Sequence, residues 1–186
     1  MTLQLSTAVR NAMLDAIEVA IAASAILRIR TGAPPANVAA ASTGTVLATL
    51  NLPANWMQDA AAGVKALLGT WQDTAADASG VAAHFEVVAN DGTTRHMQGL
   101  TSQAWTASTV YTVGQQRANG GNIYQVTAAS SASAASGGPT GTGTGITDGG
   151  VTWSYVGPAD MTLDNTSIVS GQTVTVTSFS LTAPNA

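Results

Sequence analysis

Ala82-Ala83-His84-Phe85-Glu86-Val87-Val88-Ala89, Asn90-Asp91-Gly92, and then Thr93-Thr94-Arg95-His96-Met97-Gln98-Gly99 form the stretch that decides the fold. Residues 82–89 alternate, with Phe85 and Val87 in one phase and His84 and Glu86 in the other. That period of two is the mark of a strand with one face on a core. Asn90-Asp91-Gly92 is a hairpin signal, because Gly92 tolerates the positive φ that a three-residue loop requires. This register predicts Phe85 opposite Met97 and Glu86 opposite His96.

Upstream, residues 6–23 predict a helix. Ser6 is a suitable N-cap, and Val9, Met13, Ile17 and Ile21 recur every fourth residue, with Leu14 widening the stripe. Arg10, Asp15 and Glu18 lie off it. The stripe is expected to lie on the chain's own sheet or on a neighbouring subunit. Residues 25–30 alternate, predicting Leu27 and Ile29 inside with Arg28 and Arg30 in water. Thr31-Gly32-Ala33-Pro34-Pro35 breaks into a loop, and residues 45–52 read as a strand ended by Pro53. Residues 56–68 fit either a short helix or a loop leading into a strand.

Downstream of Gly99 the composition changes. Residues 101–158 hold only two charges, Arg117 and Asp148, but two of the four tryptophans and all three tyrosines. Their middle, residues 128–144, is Ala, Ser, Gly and Thr, which predicts a mobile loop. The C-terminal part returns to strands. Val174 and Val176 fall in one phase, Phe179 and Leu181 in the other, so a β-bulge is expected near Thr177-Ser178. The predicted fold is α+β, an N-terminal helix packed on an antiparallel sheet or sandwich. A main domain of residues 1–99 and 159–186 would carry an inserted all-β module at 100–158.

The chain has 186 residues, 9% charged, with a net charge of −4. Six scattered basic residues argue against nucleic acid as a partner. The apolar N-terminal region is interrupted by Arg10, Asp15 and Glu18, so neither a membrane span nor a secretory leader is expected. Without cysteine there is no disulfide, thiolate site or thiol nucleophile. No G-x-S-x-G, H-E-x-x-H or P-loop pattern occurs, so no enzyme activity and no cofactor are expected. His84, Glu86 and His96 would share one hairpin face. No fourth ligand follows from spacing, and the expectation is a polar face rather than a metal site.

Trp105, Tyr111, Tyr124, Trp153 and Tyr155 carry two readings. They form a stacking platform for carbohydrate, or they are the small core of residues 100–158. Trp105 and Tyr155, near the ends of the segment, are the two expected to be exposed.

Leu27-Arg28-Ile29-Arg30-Thr31-Gly32, Ala75-Ala76-Asp77-Ala78-Ser79-Gly80 with Phe85 after it, and residues 160–179 resemble segments of tailed-phage structural proteins. The most recognisable run is Asp160-Met161-Thr162-Leu163-Asp164-Asn165-Thr166-Ser167-Ile168-Val169-Ser170-Gly171-Gln172-Thr173-Val174-Thr175-Val176. The resemblance implies a virion component, first a capsid decoration or cement protein. Its partners would be the major capsid protein or other virion subunits and further copies of itself. Its place would be the particle surface, after assembly in the host cytoplasm. Val9, Met13, Ile17 and Ile21 are the candidate interface residues. Residues 100–158 are similar to small aromatic β-modules of phage adhesion proteins and to chitin-binding modules. The residues behind this are Ala104-Trp105, Tyr111, Gly114, Gly121-Asn122-Ile123-Tyr124 and Asp148-Gly149-Gly150-Val151-Thr152-Trp153-Ser154-Tyr155. That likeness implies a surface glycan as a further ligand, contacted in a tail or neck adhesin as readily as on a capsid.

Overall fold

The computed structural model describes residues 4–184. The Ser6 hydroxyl accepts the Val9 N–H at 3.3 Å and opens helix α1 (Thr7–Ile21). The strands that follow are β1 (Ile26–Arg30), β2 (Val46–Asn51), β3 (Val64–Ala66), β4 (Gln72–Asp73), β5 (Gly80–Val81), β6 (His84–Val88) and β7 (Arg95–Ala104). Beyond them come β8 (Gln116–Asn119), β9 (Asn122–Ala129), β10 (Ile146–Asp148), β11 (Val151–Pro158), β12 (Met161–Leu163), β13 (Ser167–Ile168) and β14 (Val174–Thr182). The fold is α+β, one helix on a mostly antiparallel sheet among the described residues. Residues 56–68 resolve as a loop leading into β3.

Strand β7 is the junction. Its first half pairs with β6, which continues to β1 and β2. Its second half runs parallel to β12 through residues 101–103 and parallel to β8 through residues 103–104. From β8 the sheet continues through β9 and β11 to β10; from β12 it continues through β14 to β3. The hydrogen bonding of residues 100–158 is thus continuous with the rest of the sheet.

The hairpin register differs from the expected one. Phe85 faces Gly99 and Glu86 faces Gln98, two residues beyond the predicted partners; Val87 faces Met97, and a bulge then sets Val88 against Arg95. The cause is visible at both ends. The turn is longer, closed by the Ala89 N–H on the Thr94 carbonyl, with the Asp91 carboxylate accepting the Thr93 and Thr94 N–H groups at 2.8 Å. At the far end, a Cβ on Gly99 would lie 2.6 Å from the Phe85 ring, so the ring packs where only glycine leaves room. The bulge expected in the last strand is present. Thr162 pairs with Ser178 and Leu163 with Val176, so Thr177 is the extra residue. It lets Val174, Val176 and Phe179 all face the core.

That core is threaded by an aromatic chain. Trp56 meets Trp71 at 5.7 Å between centroids, Trp71 meets Phe179 at 5.3 Å, and Phe179 meets Phe85 edge-on at 5.7 Å. Leu27, Ile29, Leu47, Leu50, Met161 and Val174 fill the space around them. A second cluster, Tyr111, Tyr124, Val126, Val151 and Trp153, is separate from the first.

The opposite face of β1 and β6 does not meet water as expected. The segment 31–45 lies across it. Arg30 donates to the Thr43 and Gly44 carbonyls, Gln98 to the Pro35 carbonyl, and Arg95 to the Ala40 carbonyl. His84 and Glu86 are buried under this strap, and Arg30 is nearly so. Helix α1 is also turned differently from the stripe reading. Leu14, Ile17 and Ile21 face inward, but so do Arg10, Asn11, Asp15 and Glu18. The reason is that the loop before β3 brings free backbone N–H groups that need acceptors. Glu18 takes those of Trp56 and Met57 at 3.0 and 3.1 Å, Asp15 that of Ala60, and Asn11 that of Gly63.

Candidate functional site

The five aromatic residues divide. Trp153 and Tyr111 meet edge-on at 5.0 Å and are buried, as is Tyr124. Their ring faces are covered by the chain itself, so they form a core and offer no stacking surface. Trp105 and Tyr155 are half-buried around that core, Tyr155 lying edge-on to Tyr124 at 6.1 Å. One ring face of Trp105 is closely covered, since a Cβ on Gly138 would come within 2.9 Å of it. The platform of five is therefore corrected to two partly covered rings, Trp105 and Tyr155.

Asp148 organises this cluster. It closes the hairpin between β10 and β11, as the Asp-Gly pair suggests, but its carboxyl is buried. It accepts the indole N–H of Trp105 at 2.8 Å, that of Trp153 at 3.1 Å and the Ala134 N–H at 3.0 Å. The guanidinium of Arg117 sits 5.1 Å above the Tyr111 ring. The low-complexity segment is also held, contrary to the mobile loop expected from composition. Ser133 is buried and binds residues 106 and 109 through its hydroxyl and N–H; Gly150 donates to Ala132 and Tyr155 to Gly143. Asn119 donates to the Gly137 and Pro139 carbonyls. Small side chains leave the backbone itself available for bonding.

A second polar site lies beneath the strap. Glu86 is 2% exposed and accepts Arg30 Nε at 2.8 Å and the Ser42 hydroxyl at 2.8 Å, with Arg28 at 3.6 Å and Arg95 at 3.7 Å. Burial alone would raise its pKa; Ser42, Arg30 and Arg28 more than offset this and hold it below the ordinary value. Beside it, the His84 Nδ1 meets the Gly32 carbonyl at 2.9 Å, and its Nε2 has no partner. Burial, aided by Arg30, pulls this imidazole below its usual pKa, and the Gly32 carbonyl and Glu86 compensate only in part. His96 is on the exposed surface, away from the predicted trio. Among the described residues no three His, Asp or Glu side chains converge as metal ligands.

Comparison with protein-family models, with curated proteins and with solved structures finds no match.

The predicted interface residues also divide. Ile21 is buried and Ile17 packs on the chain's own core, so neither is free for a neighbouring subunit. Val9 and Met13 are each 46% exposed, and Val19 is 80% exposed. Ala8, Ala12, Ala16 and Ala20 lie on the same outward side; its one bordering charge is Asp15, 45% exposed and paired with Lys65.

All six basic side chains contact groups of the same chain. Lys65, buried, reaches Asp15 at 2.8 Å and Glu18 at 3.0 Å. Burial lowers its pKa, but the two carboxylates more than reverse this and raise it. Arg10 bonds the Ala183 and Ala62 carbonyls, and Arg28, Arg30 and Arg95 surround Glu86. Arg117 covers Tyr111 and donates to the Gln116 carbonyl. Sequence reasoning missed the Glu86 and Asp148 sites. The signal for the first was the Arg28-x-Arg30 alternation, which places two guanidiniums on one strand face needing an acid nearby. Nothing in the sequence pointed to Asp148 as an acceptor for two indoles.

Proposed function

We propose that this chain is a non-catalytic structural subunit of a tailed-phage particle, with capsid decoration as its first assignment. It would bind the major capsid protein or another repeating virion surface and pack beside further copies of itself. The resemblance of residues 27–32, 75–80 and 160–179 to phage structural proteins supports this reading.

The observation that carries it is the outward face of α1, which presents Val9, Met13 and Val19 and is bordered by one charge, Asp15, already paired with Lys65. Identical copies on a lattice bring like surfaces together, and a charged patch would repel its own copy. Here the basic groups are turned inward, and the exposed helix face is apolar and small-residue rich. Such a face packs closely on a neighbour with little desolvation cost.

Cryo-electron microscopy of the particle carrying the chain tests the assignment. Density repeated over the icosahedral shell, on the order of hundreds of copies, is the expected result. Density in a dozen or fewer positions at the neck or tail would replace decoration with an adhesin. Residues 100–158 would then carry the main function, with Trp105 and Tyr155 as the ring faces left to contact a glycan.

A further inference from the structure

Where strands β5 and β7, the loop before β8 and the turn at residues 165–167 meet, they enclose a cleft of about 540 Å³. This is within the size range of small-ligand sites. Its wall contains Gln103, Gln115, Gln116 and Asn165 as amides and Thr101, Ser102, Thr166 and Ser167 as hydroxyls. We propose that this cleft is a binding site for a neutral saccharide unit. The inference does not rest on the virion assignment.

The wall chemistry selects the ligand class by elimination. No carboxylate lines the cleft, so a cation has no counter-charge there. Its one cationic group, Arg117, is held over Tyr111 and donates to the Gln116 carbonyl, so an anion would meet a single charge among eight uncharged polar side chains. An extended peptide would need an open strand edge. Four of the wall's backbone N–H groups are already used: Ala82 on Thr166, Ala83 on Arg30, Thr101 on Ala83 and Gly114 on Val126, at 2.8 to 3.1 Å. Of the side chains, Asn165 is bonded to the Ser167 backbone and Gln115 accepts the Thr112 N–H, which leaves chiefly the Gln103 and Gln116 amides and the Thr166 hydroxyl on offer.

Three observations point to hydroxyl-bearing rings in particular. The Thr101 side-chain oxygen is buried with no hydrogen-bond partner, an uncommon arrangement for a native hydroxyl. The Gln116 amide and the Thr166 hydroxyl have no side-chain bonds among the described residues, and the Gln103 amide has one long contact of 3.3 Å to the Asp164 carbonyl. Amides of this kind donate and accept together, which matches vicinal hydroxyls on a pyranose. Val81 and Val113, 65% and 66% exposed, supply the apolar contacts for the C–H face of the ring.

Isothermal titration calorimetry of the full chain against neutral oligosaccharides of glucose, galactose and N-acetylglucosamine tests this. At least one is expected to bind, and Gln116→Ala and Thr166→Val are each expected to weaken it about fivefold to tenfold, with melting temperature unchanged. Thr101→Val, which keeps the shape and removes the unpartnered oxygen, is expected to weaken the same ligand without loss of fold. Trp105→Ala should leave the affinity unaltered. No heat with any sugar at about 10 mM would overturn the proposal. Binding that ignores the three cleft variants and disappears in Trp105→Ala would overturn it as well, and so would binding restricted to acidic sugars and dependent on Arg117.

Discussion

The two halves of the sheet each bury one carboxyl, and they satisfy it by opposite means. Glu86 is surrounded by three guanidinium groups and a hydroxyl. Asp148 is met by two indole N–H groups and one backbone N–H. The first arrangement is an ionic cluster whose members depend on one another. The second is a set of neutral donors converging on a single acceptor. The difference follows composition: residues 101–158 have only one basic side chain to offer, and it lies over Tyr111. Neutral donors hold a buried acid without bringing in further charge that must itself be desolvated.

Removing the acid at each site should show the contrast most strongly. Glu86→Ala leaves Arg30 and its neighbours converging on nothing beneath the strap. Loss of one partner from a buried ionic cluster costs about 3–5 kcal/mol. Asp148→Ala leaves two indole N–H groups and the Ala134 N–H unbonded but no uncompensated charge, and the expected loss is about 2–3 kcal/mol. Urea unfolding of both variants gives the order. Equal losses, or a greater loss at Asp148, would show that charge is not what separates the two sites.

The same contrast has a backbone version. The main sheet is held by large side chains, the segment 130–145 by close backbone approach. Gly138 has φ +71°, and a Cβ there would lie 2.8 Å from the Asn119 amide and 2.9 Å from the Trp105 ring. Gly138→Ala should therefore cost about 2 kcal/mol, the sum of a left-handed backbone and a clash. Gly137, at φ +90° with open space around it, isolates the backbone part. Gly137→Ala should cost about 1 kcal/mol in the same unfolding assay.

Acid should act on one region before the other. His84 titrates below the ordinary 6.5 in the folded chain, so the unfolded chain takes up its proton first. Its contribution is complete above about 6.5 and is lost as pH falls through the lower folded value. Glu86 adds a second loss further into acid, because its folded pKa lies below 4.5. Hydrogen exchange, corrected for intrinsic rates, should show residues 31–45 opening at pH 5 relative to pH 7.5. Residues 130–145 should change little. Equal protection of both segments at the two pH values would remove His84 from the account.

Much of the fold was legible in local sequence. The Ser6 cap, the alternation of residues 26–30 and the phase change across Thr177 each depend on neighbouring residues alone. What escaped depended on distant partners. The hairpin slid by two because Gly99 must admit the Phe85 ring, and a shift of two preserves the alternation from which the register was read. Arg28, Arg30 and Glu86 read as a wet face because no local pattern tells that residues 31–45 fold back over them. In the aromatic cluster the residue types left both a core and a platform open. Burial of Tyr111, Tyr124 and Trp153 decides for core, and it could be known only once β9 and β11 were paired.

Helix α1 repeats the comparison on a scale of two adjacent residues. Glu18 points inward and holds the Trp56 and Met57 N–H groups and Lys65; Val19 points outward and is 80% exposed. Hydrophobic position alone would have them reversed. Glu18→Ala should destabilise the chain by about 2 kcal/mol, because buried donors lose their acceptor. Val19→Asp should change stability by less than about 0.5 kcal/mol, as substitutions on an open surface do. If the outer face is the one that meets neighbouring copies, Val19→Asp should nevertheless abolish self-association or particle binding, measured by sedimentation. A variant that is stable and still assembles would leave that face without a role in contact, and the helix would act only through its inward side, where Leu14, Ile17 and Ile21 pack beside the polar groups.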